Sequence, residues 1–159
     1  MALEFTYILA KFFHDIATIT WLGGLFSMGF VVLPSTKKVL EKKSEIHNLM
    51  ETIQHRLSIL VYISIILLIV TGLMLAKHSG QYLGLVSLGN EYSTITTIKH
   101  VLYVSMLLIT LTRSQLLDKF KLKHEKKVKV SALLLFANIA LGFIVVFLSA
   151  VLTNIAASV

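Results

Sequence analysis

The sequence predicts an all-α integral membrane protein, a four-helix bundle with both termini on the outer side. Of its 159 residues, 56% are hydrophobic and only 14% are charged, a composition typical of membrane proteins and not of soluble domains. Four apolar segments are each near or above the roughly 20 residues that a helix needs to cross a bilayer. The basic residues are concentrated in two of the connecting loops, and that asymmetry predicts the orientation.

The four predicted spans cover about residues 3–33, 57–76, 94–112 and 130–152. Backbone groups in lipid must be hydrogen-bonded within the protein, so helices are the expected form of each span. The first segment is longer than the minimum, and a tilt or an extension beyond the membrane would absorb the excess. After Pro34, we expect Ser35 to cap a separate amphipathic helix in the first loop. Residues 1–159 are predicted to form a single transmembrane domain.

The net charge of +7 is unevenly distributed. Twelve of the fifteen Lys and Arg residues lie between residues 34 and 56 or between 113 and 129. The positive-inside rule therefore places the first and third loops in the cytoplasm of a multi-pass cell-membrane protein. The basic loops are expected to attract anionic lipid headgroups, so membrane lipid and not nucleic acid is the predicted partner. Self-association into a homo-oligomer is left open.

Ionisable residues lie inside the first apolar segment, in the stretch KFFHDIATITWLGG (11–24). Lys11, His14, Thr18 and Trp21 are three or four residues apart and share one helix face. Asp15 can pair with Lys11 at a spacing of four. Ionisable side chains within a span are costly, and they usually face the bundle interior and mark a functional site.

The third span carries a second set of polar residues. Lys99 and Tyr103 lie on one stripe, with His100 beside it. His14 is about ten residues, or roughly 15 Å, into the first span, and His78 ends the second span on the same side. The predicted topology therefore places His14, His78, Lys99 and His100 in the outer half of the bundle.

Each of these residues also has a purely structural interpretation. His14 could make an interhelical hydrogen bond, Lys99 could extend outward to the interface, and His78 could be a solvated interfacial residue. Glycines at 23, 24, 72 and 142 allow close helix approach, or leave room for a flat macrocycle. Thr71 and Asn138 are expected mainly to hydrogen-bond between helices.

The available donor side chains limit which cofactors the chain could bind. With no cysteine, disulfides, iron–sulfur clusters and thiolate metal sites are excluded. Imidazoles from different helices between aromatic walls are the usual holder of haem iron in a bundle. Imidazole also binds copper, with methionine thioethers as further ligands. Structural zinc would need four good ligands, which the sequence does not supply.

The motifs resemble two related membrane families. The first is the copper-resistance D (CopD-like) family, on the stretch H-x-x-A-x-x-x-W-L-G-G-L-F from His14 to Phe26, with Thr71-Gly72 in the second span and I-K-H-V-L opening the third. The second is the four-helix bacterial protoporphyrinogen oxidases, on K-x-x-H-x-x-A-x-x-x-W and an early third-span lysine, matched by Lys99. The resemblance covers nearly the whole chain. Gly23-Gly24 is closer to the copper family, and the oxidase pattern does not require His100.

The resemblance to the oxidases implies a haem-b redox protein and an oxidoreductase acting on a porphyrin. Under the haem hypothesis, we further expect electrons to pass to quinone as an acceptor in the membrane. His14 would be an axial iron ligand, and Lys99 a second ligand or a catalytic, substrate-handling cation. His100 offers an alternative second ligand. The full set of predicted cofactor-binding residues is His14, His100, Lys99, Lys11, Trp21 and Tyr103. The copper family instead implies copper transport, with His14, His78 and His100 among the metal ligands. A third interpretation is an assembly protein whose polar residues only join helices.

Overall fold

The computed structural model describes residues 2–39, 43–113 and 124–157. This part of the chain is helical except for residues 79–90, and it has no β-strand. Helix α1 is Ala2–Phe26, followed by a π-helical segment, Ser27–Val32, and α2, Leu33–Val39. Helix α3 is Lys43–His78, α4 is Glu91–Leu111 and α5 is His124–Ala157. The predicted all-α four-helix architecture is confirmed.

Within the described residues, four helical stretches are long and apolar enough to cross a membrane: Glu4–Thr36, Thr52–His78, Glu91–Leu111 and Lys126–Ala157. Each one overlaps a predicted span. Their outward surfaces carry large apolar side chains such as Ile19 and Phe147, which are 70% and 68% exposed. Such a surface is suited to lipid and not to water, in agreement with a multi-pass membrane protein.

The first span continues as a helix through Pro34, so the predicted break with Ser35 as a cap is wrong. Proline lacks an N–H and its ring clashes with the carbonyl four residues earlier. The π-helical turn before it widens the backbone, and the Leu33 N–H bonds to the Met28 carbonyl five residues back. This wider turn carries the helix past the proline without a break, and the first span becomes 33 residues long.

The bundle core is built on two close helix pairs, α1 with α3 and α4 with α5, and α1 also contacts α5. Trp21, Met28, Met106 and Leu135 are the large apolar side chains that are almost completely buried. At Gly142 a β-carbon would collide with the Leu22 side chain, so this glycine allows α5 to lie close against α1.

The connection between α3 and α4, residues 79–90, is held onto the end of the bundle by side chains of α4. Asn90 caps α4, its Oδ1 accepting from the Ser93 N–H at 2.7 Å. Ser93 and Thr97 then bond backbone groups of the connection at 3.0–3.1 Å. We call this the terminal end of the bundle, since α1 begins and α5 ends there. The opposite end, where α2 lies, α4 ends and α5 begins, is the basic end.

Candidate cofactor site

His14 is tied to the second span by a hydrogen bond between its Nδ1 and Oγ1 of Thr71, at 3.0 Å. The Thr71 hydroxyl already donates its hydrogen to the Leu67 carbonyl at 2.6 Å. Oγ1 must therefore act as the acceptor, so the neutral His14 ring carries its proton on Nδ1. Its Nε2 is left with a free lone pair, the form in which imidazole binds a metal.

The His14 ring lies against α3 at Gly72. A β-carbon at position 72 would lie 3.6 Å from Cε1 of His14, in van der Waals contact with the ring. The backbone turn at Thr71 and Gly72 thus both orients the imidazole and packs against it. The sequence predicts mainly an interhelical hydrogen bond for Thr71, and close helix approach or room for a flat macrocycle at Gly72. In the structure both residues lie against His14, the central residue of the candidate site.

Lys11 and Asp15 form the predicted ion pair. The Lys11 ammonium lies 2.7 and 2.9 Å from the two carboxylate oxygens of Asp15. Both side chains are about half exposed, at 49% and 51%, so the pair lies on the outside of α1 next to His14. Asp15 therefore neutralises the charge of Lys11.

Lys99, unlike Lys11, carries a positive charge that no carboxylate neutralises in the described part of the chain. Its ammonium lies within electrostatic range of His14 and Lys11. Its side chain is partly buried, and it makes no hydrogen bond or ion pair with any residue in the described part of the chain. One positive charge is therefore left over beside His14. Such a position favours a ligand that carries an anionic group.

Trp21 and Tyr103 form an aromatic wall one to two turns from His14. Their ring centroids are 5.7 Å apart. Trp21 is only 1% exposed, yet its Nε1 has no hydrogen-bond partner within the described ranges. Both rings line a narrow, partly open cleft with room for about one water molecule. An unpaired buried N–H is costly, so a bound acceptor would stabilise this site.

The other two predicted histidines are held by different partners. Nδ1 of His100 lies 3.0 Å from the Leu85 carbonyl, which can only accept, so this neutral ring also keeps Nε2 free. His78 stacks on Tyr7 with a centroid distance of 4.3 Å. Neither ring makes a hydrogen bond or ring contact with His14 in the described structure. No cluster of three His, Asp or Glu side chains suited to a metal ion occurs there either.

The donor atoms of these residues are of the kinds that bind haem. His14 presents one imidazole nitrogen with its tautomer fixed by a hydrogen bond from the opposite nitrogen, the usual arrangement of a metal-binding histidine. Lys99 supplies an unpaired cation for a carboxylate, and Trp21 supplies a buried N–H. One axial imidazole suffices for haem, whereas a copper site would need several donors grouped around the ion.

Comparison with known proteins adds no relative: no protein-family model, curated protein or solved structure matches this chain. The resemblance of its motifs to the CopD-like and oxidase families therefore stays a prediction. The function has to be inferred from the residues of the site and their chemistry. His14, Thr71 and Lys99 are the residues on which that inference depends.

Proposed function

We propose that this chain is a haem-b-binding redox protein of the membrane. It would transfer electrons or oxidise a porphyrinogen, and pass the electrons to an acceptor in the membrane. The observation that carries the proposal is the hydrogen bond from His14 to Thr71. It fixes an imidazole in the metal-binding tautomer inside a lipid-facing bundle, where a histidine is otherwise costly.

Lys99 is the second functional residue of the proposal. Its ammonium would bind a carboxylate, either a haem propionate or the acidic side chain of a porphyrin substrate, through a charge-assisted hydrogen bond. Lys11 is already paired with Asp15, so Lys99 is the cation better able to do this. A carboxylate here would also neutralise a charge that has no counter-ion among the described residues.

When bound, haem supplies one-electron redox chemistry through its iron. The chain's own residues would bind and orient the group. His14 would hold it at Nε2, Thr71 would keep that nitrogen unprotonated, and Trp21 and Tyr103 would form an apolar wall. A second ligand from His100 or Lys99 would favour electron transfer, and without one the group would be open to substrate.

The test is the haem content of the full chain, purified in detergent after expression with ample haem and copper. We expect a Soret band that His14→Ala removes, because the axial ligand is lost. His55→Ala is the matched control, since His55 is an exposed histidine near the basic end, and it should leave the band unchanged. Colourless wild-type protein would contradict the proposal. Copper found by elemental analysis would favour copper transport instead.

The second ligand is tested in the same preparation. We expect His100→Ala to lower the haem content if its free nitrogen reaches the iron. A shifted Soret maximum in Lys99→Met, with His100→Ala unchanged, would assign the ligand to Lys99. If neither variant changes the spectrum, His14 is the only protein ligand of the iron.

A further inference from the structure

A second polar cleft lies at the basic end of the bundle, away from His14, and all four membrane spans contribute to its lining. It is partly open and has room for about one or two water molecules. We call it the basic-end cleft. The polar residues in its lining are Gln54, Ser58, Thr110, Arg113 and Asn138. The proposed haem function uses none of them.

Asn138 brings an unpaired hydrogen-bond acceptor to this cleft. Its side chain is only 2% exposed, and its Nδ2 donates to Oγ1 of Thr110 at 2.9 Å. The Thr110 hydroxyl in turn donates to the Met106 carbonyl at 2.9 Å, which fixes the orientation of the amide. Oδ1 of Asn138 has no partner among the described residues. A buried amide oxygen without a donor is costly, so a ligand that donates a hydrogen bond would stabilise it.

Ser58 brings a hydroxyl that is not used within its own helix. Serine and threonine in membrane helices often donate to the carbonyl four residues earlier, as Thr110 does here. The half-buried Ser58 hydroxyl makes no such bond, and it makes no other hydrogen bond with the described part of the chain. It can therefore donate to a ligand in the cleft or accept from one.

Arg113 brings a positive charge to the same cleft. Its Nε donates to Oγ of Ser131 at 3.2 Å, and one Nη is 3.5 Å from Oε1 of Gln54. It forms no ion pair with a carboxylate within residues 2–39, 43–113 and 124–157. Burial lowers the pKa of the guanidinium to about 10, so the group is still charged at neutral pH. A guanidinium has several N–H donors, so others are left for an oxygen atom in the cleft.

These three groups select a small, neutral ligand that both donates and accepts hydrogen bonds. The charge of Arg113 repels cations, and the unpaired oxygen of Asn138 repels anions. A lipid acyl chain would fill the space but would leave the polar groups without partners. Water is small enough and has both functions, and a buried water typically makes about three hydrogen bonds to groups of this kind.

We propose that the basic-end cleft is a hydrated inlet, in which bound water donates to Oδ1 of Asn138 and accepts from the Arg113 guanidinium. The Ser58 hydroxyl provides a further hydrogen bond to this water. The water satisfies a buried amide oxygen, and it hydrates a charge that has no carboxylate partner among the described residues. This inference goes beyond the haem proposal and does not depend on it.

The inlet brings water far into the apolar part of the bundle. Asn138 is twelve residues beyond Lys126, where the fourth span begins, and this is a rise of about 18 Å along α5. Trp21 and Met106, each only 1% exposed, lie in the core beyond the cleft. Water from the basic end therefore reaches the middle of the bundle without crossing it.

The experiment is hydroxyl-radical footprinting by X-ray radiolysis of the full chain in lipid nanodiscs. Radiolysis forms hydroxyl radicals from water where it is bound, and these oxidise a neighbouring methionine to its sulfoxide, which mass spectrometry detects. Met28 lines the cleft and is only 2% exposed, so bulk water does not reach it. Phe143 is 61% exposed on the outward surface, where lipid covers it. We expect oxidation of Met28 and none of Phe143.

Two variants and a matched control test the residues of the inlet. Asn138→Leu removes the acceptor and adds apolar atoms to the cleft, so we expect loss of Met28 oxidation. Ser58→Ala removes one hydrogen bond to the water and should lower the oxidation. Asn154→Leu makes the first change at an exposed position near the terminal end and should leave Met28 oxidation at the wild-type level. If Asn138→Leu does not fold, Ser58→Ala decides, since removing a hydroxyl without a protein partner should not unfold the bundle.

Two results would overturn the proposal: no Met28 oxidation in the wild-type chain, or undiminished oxidation in the cleft variants that fold. The His14→Ala chain should show the wild-type oxidation of Met28. Failure of the haem proposal would therefore leave this result intact, and failure of the hydration proposal would leave the Soret band intact.

Discussion

Thr71 determines which nitrogen of His14 carries the proton. The Thr71 hydroxyl donates its own hydrogen to the Leu67 carbonyl, so it can only accept a hydrogen bond from the His14 ring. A water molecule or an amide in that place could have donated instead, and the metal-binding nitrogen would then have been the wrong one. We infer that Thr71 is a positioning residue for His14, acting on any ligand through the imidazole.

The first prediction follows from that role. Thr71→Val keeps the side-chain volume but removes the acceptor, and we expect haem affinity to fall about 10–100-fold. Thr71→Ser keeps the hydroxyl and should retain most of the affinity. Haem titration of the apoprotein, followed at the Soret maximum, measures both. Equal affinity in the valine and serine variants would show that the hydroxyl has no role.

The sequence predicts the contacts of some single residues and not those of others. The Lys11–Asp15 pair was predicted because both lie on one helix at a fixed spacing, and it is confirmed. The His14–Thr71 bond joins residues 57 positions apart, so it depends on the register of two helices, which no local pattern encodes. Arg113 was counted only as a loop charge, because its burial depends on how α3 and α5 pack around it.

Among the helices, the four membrane spans could be predicted from the sequence, but the end of the first span could not. Continuous apolar runs of sufficient length identify a membrane helix with little ambiguity, and all four were found. Pro34 normally ends a helix, but the π-helical turn Ser27–Val32 accommodates it. That turn depends on the tertiary setting of Met28 and Gly29, both buried in the bundle, so the sequence rule failed there.

The second prediction concerns the contact between α1 and α5. Gly142→Val places side-chain atoms where Leu22 and Met106 already lie, and we expect it to destabilise the bundle by about 1–3 kcal/mol. Gly23→Val is the matched control, because nothing lies within 4 Å of a β-carbon there. Thermal unfolding in one detergent compares them. Equal melting temperatures would show that α5 is not fixed against α1 at this position.

Across the whole molecule, the two polar sites lie in opposite halves of the bundle. The His14 site is nearer the terminal end, and the cleft with Arg113 and Asn138 lies at the basic end. Trp21 and Met106 occupy the buried core between them. A prosthetic group held at His14 would therefore be separated from the cleft with Arg113 and Asn138 by this core.

The third prediction is the orientation, which rests on the positive-inside rule alone. The chain has no cysteine, so single cysteines can be introduced without a background. Val86→Cys, at an 83% exposed position in the 79–90 connection, should react with a membrane-impermeant maleimide in intact cells. Lys126→Cys, at an exposed position on the basic end, should react only after permeabilisation. The reverse pattern would invert the topology.

The central claim is that Nε2 of His14 is the point at which the prosthetic group is held. The most direct test is the His14→Gly variant, purified with and without added imidazole. We predict that the variant lacks the Soret band of the wild-type chain and that free imidazole restores it, by occupying the space the side chain has left. A His14→Gly chain that keeps the wild-type spectrum without imidazole would contradict the account.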